Sequence, residues 1–379
     1  MKIVENTNIA NLSPLASAIY DKLAHNQQML FLTWECKDDE LTNQVAHFLN
    51  HFDAAIAHLK GKVEFMLPLT AFHLMAHRAT SKWPADEELC RSLAKIAANH
   101  TVYWRAGRFD FNVSAKPIIY GIMNITPDSF YDGGRYNTPE AMREHIRQMV
   151  AAGADVIEVN GQTTKPGGFK EVSPEEELAR IVPGIKMLQE DFPNVAIAVD
   201  TYKLPVMERV LEMGVDIIND VQAFDDQRKL LLLKNSRAGL VTMHSSRDRE
   251  YGNLTVEMKH FFEHNLAKIS EAGINLDRVI IDEGIGYSKV ADGEQDYAMM
   301  RNIDEFRYLN RPIMVAISRK GFGKKLFDLP KDERLPVTLI AETYMYLHGG
   351  RVLRVHDIEE TRQLVKMIDT ITAGYWQRG

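Results

Sequence analysis

PIIYGIMNI (117–125), PEAMREHIRQMVAAGA (139–154) and DVIEVN (155–160) follow one another in the chain. The outer two are short apolar runs of strand length, and the middle one is a helical stretch. Gly153 falls just past that stretch, where a left-handed cap wants glycine. The same alternation continues to the C-terminus. SPEEELARIVPGIKMLQEDF (173–192) leads to VAIAVDT (195–201), KLPVMERVLEMG (203–214) to DIINDV (216–221), and DQRKLLLLKNS (226–236) to AGLVTMHS (238–245). A helix near 255–272 precedes VIIDEG (279–284), one near 294–309 precedes PIMVAIS (312–318), and VTLIAETYMYLHGG (337–350) precedes VLRVHDI (352–358). Gly214 and Gly273 repeat the capping position of Gly153. Strands separated by helices of this length form βαβ units and a parallel sheet. Near-continuous apolar runs fit strands covered on both faces.

Each strand ends in polar residues: Asn124, Gly161-Gln162-Thr163-Thr164, Asp200, Asn219, His244, Asp282, Ser318-Arg319-Lys320 and Arg354-Val355-His356. A (β/α)8 barrel gathers all eight ends around one mouth, which is where active sites of that fold sit. An open doubly wound sheet is the alternative. It places its site at one crevice and gives no reason for every strand to end in hydrogen-bonding groups. The expected architecture is a (β/α)8 TIM barrel over 101–379, preceded by a small α/β or mostly helical domain over 1–100.

Within the first hundred residues, 14–26 reads as a helix, MLFLTWEC (29–36) as a buried strand, and 38–61 as an amphipathic helix on the spacing of Leu41, Val45, Phe48, Leu49 and Phe52. KVEFMLPL (62–69) reads as a strand, with helical pieces around 70–79 and 85–98. TVYWRAGRFDFNV (101–113) is hairpin-like. No chemical motif stands out in residues 1–100.

Of the 379 residues, 45% are hydrophobic and 26% charged, the proportions of an ordinary globular protein. Net charge is −7 with no block of Lys or Arg, which argues against a general nucleic-acid or membrane-surface binder. Cys36 and Cys90 form no disulfide framework or zinc spacing. MKIVENTNIANLSPL does not read as a signal peptide, and no run approaches the length of a membrane helix. A cytoplasmic location is expected.

Asp200, Asn219 and Asp282 occupy equivalent places at strand ends. Any one alone would serve as a helix cap; three together suggest ligand recognition. Ionised Asp only accepts, Asn donates and accepts, and Lys320 only donates. Such a set suits a flat heterocycle with adjacent N–H donors and a carbonyl. Arg354 and His356, two apart on one strand, point the same way and suit an anion, since the region after strands seven and eight of this fold often binds phosphate. His244 reads equally as a packed histidine or a pocket wall. Loops 126–134 and 161–168 are too rich in Gly and Pro for regular structure and suit lids; Phe130 and Tyr131 in the first would carry an aromatic over substrate. No P-loop, H-E-x-x-H or G-x-S-x-G is present.

The chain resembles dihydropteroate synthase, the folate-pathway enzyme that sulfonamides inhibit. The resemblance starts near Trp104 and includes Gly107-Arg108-Phe109-Asp110. It continues in order through MNITPDSFYDGG, GQTTKPGG, VDT, IND, MH, DEGIG, SRK and RVHD. It implies condensation of 6-hydroxymethyl-7,8-dihydropterin diphosphate with 4-aminobenzoate, with Mg2+ assisting the departure of diphosphate. By the resemblance, Asp200, Asn219, Asp282 and Lys320 read the pterin. Arg354 flanks the ring and reaches the diphosphate with His356, while Asn124 contacts diphosphate and Mg2+. Phe130, Thr164, Lys165, Pro166 and Ser318 line the aminobenzoate site, and Asp132 acts from the first lid. Asp132, Phe130 and Lys320 stand nearest the chemistry. A homodimer is also implied.

Several positions depart from the family pattern. Lys165 replaces Arg, Asn160 and Gln162 replace Gly and Glu, and Glu283 and Ser288 stand where DPGIGFGK has Pro and Gly. Ala316 replaces the Gly before SRK, and SSRDREYGN lacks the usual Gly-Pro-Met-Gln segment. Two alternatives stay open at this point: a pterin-domain methyltransferase using methyltetrahydrofolate and a corrinoid partner, and a catalytically weak pterin-binding paralogue or a scaffold with the N-terminal unit as its partner-binding part.

Overall fold

Antiparallel pairing of MLFLTWE with KVEFMLP organises the first part of the chain. The computed structural model describes every residue except 8–12, 27, 53, 126–137, 163–170, 246–250, 288–292 and 376–379. Two compact units divide the chain: Met1–Thr101 with Lys366–Gly379, and Val102–Val365.

The first unit runs β1 (Lys2–Glu5), α1 (Pro14–Asp21), β2 (Met29–Glu35), α2 (Asp39–Leu49), β3 (Ala55–Leu59), β4 (Lys62–Pro68), α3 (Leu69–Lys82) and α4 (Glu87–Asn99). Its strands pair in the order β1-β2-β4-β3, all antiparallel. Leu32, Trp34, Val45, Phe48, Leu49, Val63, Phe65, Phe72 and Met75 fill one core. Asp38 and Asp86 cap α2 and α4 by accepting from the Leu41 and Leu89 amides at 2.8 and 3.0 Å. The helix expected over 38–61 stops at Leu49, followed by a 3-10 turn to Phe52. Residues 55–59 instead pair with β4 across a tight turn in which Gly61 adopts φ +70°. The turn chemistry of Lys60-Gly61 overrides the helical spacing, which ends at Phe52. The end of the chain, assigned to the barrel from sequence, clusters with this unit, and Tyr375 packs on Phe52 at 5.7 Å.

The second unit opens with a hairpin, β5 (Tyr103–Ala106) and β6 (Phe109–Asn112). Then follow β7 (Ile118–Asn124), α5 (Pro139–Ala152), β8 (Val156–Asn160), α6 (Pro174–Asp191), β9 (Ala196–Asp200), α7 (Leu204–Glu212), β10 (Ile217–Asp220), α8 (Gln227–Lys234), β11 (Gly239–Met243), α9 (Leu254–Glu271), β12 (Val279–Asp282), α10 (Glu294–Arg301), β13 (Ile313–Val315), α11 (Phe322–Phe327), α12 (Leu335–Leu347), β14 (Gly350–Val355) and α13 (Ile358–Thr372). Strands β7 to β14 close into one barrel, each paired in parallel with its neighbours. This is the (β/α)8 fold, and the open sheet is excluded. Gly153, Gly214 and Gly273 all take positive φ where the helices before them end.

The pleat decides what faces the barrel axis. On β8 to β10, Ile157, Val199 and Ile218 turn outward into the layer shared with the helices, while Val156, Ala198 and Ile217 turn inward. Continuing the inward alternation by two brings Glu158 and Asn160, Asp200 and Asn219 to the axis. The same count on β12 and β14, from Ile280 and Val352, delivers Asp282 and Arg354. The hairpin closes the opposite end. Trp104 is buried among inward residues and donates through Nε1 to the Arg278 carbonyl just before β12, at 2.9 Å. Gly107 adopts φ +60°, and a Cβ there would lie 2.4 Å from an Asp216 oxygen. The Gly-Arg-Phe-Asp stretch therefore forms a floor that only glycine permits at its turn.

Candidate active site

Glu158 is the hub of the mouth. It is fully buried and accepts from Tyr120 Oη at 2.9 Å, Asn219 Nδ2 at 3.0 Å, Asn160 Nδ2 at 3.0 Å and Arg354 Nε at 3.0 and 3.2 Å. Arg354 also donates to Asp200 Oδ2 at 3.2 Å. Five strands are thus tied together by one carboxylate and one guanidinium. Burial opposes the charge on Glu158, but Arg354 outweighs burial and holds its pKa below the ordinary value. Asp200 takes the other course. Burial, reinforced by the nearby negative charge of Glu158, pushes it up to about 8. Two carboxylates share one cation, so the charge on Glu158 opposes ionisation of Asp200.

Asn160 Oδ1, Asp200 Oδ1 and Asn219 Oδ1 are buried without a hydrogen-bond partner among the described residues. They lie on β8, β9 and β10, next to one another in the barrel. Three such atoms in a native site call for a ligand or ordered water. On β12, burial raises the Asp282 pKa while Lys320 opposes the rise. Asp282 also accepts from the Gly284 amide at 2.8 Å. Lys320 donates to the Ile285 carbonyl and lies over the Tyr287 ring at 5.1 Å. Both glycines of DEGIG are needed. A Cβ on Gly284 would sit 1.8 Å from the His244 carbonyl oxygen, and one on Gly286 would sit 2.7 Å from the Lys320 side chain. The structure therefore brings Asp200, Asn219, Asp282, Lys320 and Arg354 to the same end of the barrel.

Ser318 and His356 meet at the rim, where the Ser318 hydroxyl accepts from the His356 amide at 3.2 Å and lies 3.1 Å from Nδ1. Burial and the Arg354 charge push His356 down to about 3. Its imidazole is neutral at physiological pH and would meet an anion by hydrogen bonding, a point the sequence reading of Arg354 and His356 as an anion-binding pair left open. Arg319, between Ser318 and Lys320, is not a site residue. It adopts φ +53° and pairs with Asp357 through two bonds of 2.8 and 2.7 Å, which fixes the turn after β13 against the end of β14. Asn124 ends β7 and accepts from Asn160 Nδ2 at 3.2 Å. His244 packs against the rings of Tyr251, Phe261 and Phe262. Phe130, Asp132, Thr164, Lys165, Pro166 and Ser288 lie outside the described residues.

Sequence reasoning missed Glu158, Asn160 as a polar partner, and a buried lysine. Lys203 Nζ donates to Gln162 Oε1 at 2.6 Å and Glu177 Oε2 at 2.9 Å. Gln162 in turn accepts from the Val172 amide at 3.0 Å, joining the residues on either side of 163–170. A glutamine at 162 leaves Glu177 as the one carboxylate facing Lys203 in this trio. Inward parity alone would have found Glu158, because an acid two residues before Asn160 must face the same way. Glu283 is unlike these. Both of its oxygens are buried without partners among the described residues, and burial followed by the charge of Asp282 raises its pKa well above the usual value.

Residues 120–356 match the pterin binding enzyme family. Dihydropteroate synthase of Clostridium beijerinckii is 35% identical over 271 residues, covering 70% of this chain and 98% of the relative. The Yersinia pestis dihydropteroate synthase, solved with a sulfonamide drug complex, superposes with a TM-score of 0.67 at 28% identity, over 72% of this chain and all of that one. The Burkholderia cenocepacia enzyme, solved with 7,8-dihydropteroate, gives 0.64 at 27% identity over 73% of this chain and 99% of its own. The chain belongs to the pterin binding enzymes, in the dihydropteroate synthase family. No helix among the described residues is long and apolar enough to cross a membrane.

Glu283, which lacks a partner among the described residues, makes stability depend on pH. A folded-state pKa above the unfolded value means the folded protein holds an extra proton, so stability falls as pH rises above about 4.5. Glu283→Met removes that term. The difference in melting temperature between variant and wild type is expected to widen in the variant's favour from pH 5 to pH 8; a pH-independent difference would show that Glu283 has a partner.

Proposed function

We propose that this protein condenses 6-hydroxymethyl-7,8-dihydropterin diphosphate with 4-aminobenzoate in folate biosynthesis, with the barrel mouth as its active site. The activity rests on family membership. The assignment of the mouth rests on three buried acceptors, Asn160, Asp200 and Asn219, that lack partners among the described residues. A pterin supplies what they need: a flat ring with N–H donors on one side and a carbonyl that Lys320 can meet on the other. Asp282, close to Lys320, would take the amino group and ring N–H. Arg354 would lie against the ring and reach toward the diphosphate, with His356 and Ser318 donating hydrogen bonds at that end.

The reaction breaks the bond from the pterin methylene carbon to a diphosphate oxygen, and the electron pair leaves with diphosphate. The arylamine lone pair then forms the new C–N bond, and the nitrogen loses a proton. Cationic groups at the mouth stabilise the departing anion. A weakly basic arylamine needs positioning more than deprotonation. Asp132, Phe130, Thr164, Lys165, Pro166 and Ser318 are the residues we assign to that positioning. When bound, Mg2+ would neutralise charge on the diphosphate, held by Asn124 Oδ1, diphosphate oxygens and water. An amide oxygen that accepts from Asn160 still has a second lone pair for this role. That suits Mg2+, which is usually held by few protein ligands beside substrate phosphates.

Leu326 and Phe327 on α11 and Ile340, Tyr344 and Leu347 on α12 are exposed apolar side chains. We propose that they meet a second copy of the chain in a homodimer; sedimentation equilibrium giving the mass of one chain at micromolar concentration would contradict this. For the reaction, full-length protein with both substrates and Mg2+ is expected to form dihydropteroate and diphosphate. Asp282→Ala should weaken pterin diphosphate binding by ~1.5–3 kcal/mol or more, read by calorimetry. No product from the wild type would end the functional assignment, and unchanged affinity in the variant would end the pocket assignment.

A further inference from the structure

Asn160 replaces a glycine of the family pattern. It is not a passive filler of the space that a glycine leaves. Its side chain is 4% exposed, and its Nδ2 is committed twice, to Glu158 Oε1 at 3.0 Å and to Asn124 Oδ1 at 3.2 Å. Those two bonds fix the amide plane and so fix where Oδ1 points. Oδ1 is buried and has no partner among the described residues. The pleat turns it to the barrel axis beside Asp200, whose Oδ1 is in the same condition. A buried acceptor held in place by its own donors costs free energy unless something donates to it.

We propose that Asn160 is a specificity-determining residue that accepts a hydrogen bond from N8–H of the 7,8-dihydropterin ring, giving this site a second reader of the reduced form beside Asp200. The inference rests on the pterin reading above and deepens it. Lys320 follows β13, and β9 lies four strands away in either direction around the barrel. A pterin whose carbonyl and N5 face Lys320 turns its N1 and N8 edge toward β8 to β10, where Asn160, Asp200 and Asn219 present their oxygens. In the 7,8-dihydro ring, N8 carries a hydrogen and donates. In the fully oxidised ring, N8 is a bare acceptor and faces Asn160 Oδ1 with a repulsive lone pair. A glycine at 160 cannot tell these two states apart; an asparagine with an anchored carbonyl can. The same anchoring ties the reader of N8 to Asn124, at the diphosphate end.

The test compares 6-hydroxymethyl-7,8-dihydropterin with 6-hydroxymethylpterin as calorimetric ligands of the full-length wild type, Asn160→Gly and Asn160→Ala. Wild type is expected to prefer the dihydro form. Both variants are expected to lose roughly three- to tenfold of that preference, the scale of one hydrogen bond. The ratio is internal to each variant, so a general loosening of the site that weakens both ligands alike leaves it unchanged. A ratio unchanged from wild type in both variants overturns the inference while leaving the pterin site intact. A wild type that binds neither ligand overturns the pterin reading itself, and this inference with it.

Discussion

The ion pair between Glu158 and Arg354 is the constraint on which the mouth depends. A carboxylate without water is costly, and a partner must be close, well oriented and itself satisfied. Here Arg354 presents its fork from β14 across to β8, while Tyr120, Asn160 and Asn219 complete the carboxylate's bonds. With Glu158 ionised, the pKa of Asp200 is driven up to about 8 while it shares the same guanidinium. The side chains of the mouth are therefore electrostatically linked before any ligand arrives. A ring that donates an N–H to Asp200 Oδ1 supplies the partner that this buried oxygen lacks among the described residues.

The rest of the second unit serves this arrangement by symmetry and by closure. Alternation along each strand aims the terminal polar residues inward, and barrel closure makes them converge. The hairpin with Trp104 seals the far end, so the mouth is the open end of the packed interior. Around the rim, separate polar clusters fix the chain just outside the strands. Arg319 with Asp357 holds the turn after β13, and Lys203 with Glu177 and Gln162 holds the residues flanking 163–170. The mouth can keep acceptors that lack partners among the described residues because its frame is bonded elsewhere.

The barrel was legible because its signal is repeated: eight apolar runs, helices of similar length, and glycines at three helix ends whose positive φ the structure bears out. Asp200, Asn219, Asp282, Lys320 and Arg354 were legible because a strand end is a place where a polar residue needs a reason. Glu158 was not singled out. It lies inside an apolar run, and only the parity of the pleat marks it as facing Arg354. The charge state of His356 was also hidden, because sequence reports the side chain but not its desolvation. The helix drawn through residues 55–59 failed for a local reason, since helical periodicity ended at Phe52 and the Lys60-Gly61 turn governed what followed. Glu283, a buried acid in place of a proline, follows from nothing in the pattern.

A double-mutant cycle on unfolding free energy, with Glu158→Gln, Arg354→Met and the two combined, tests most directly whether one buried pair holds the mouth together. Each single change is expected to cost ~3–5 kcal/mol, because it strands a charge or its donors in a dry interior. The combined variant should cost little more than the worse single change, giving a coupling of at least ~2 kcal/mol. Additive losses would contradict the account, showing that the two side chains are stabilised independently.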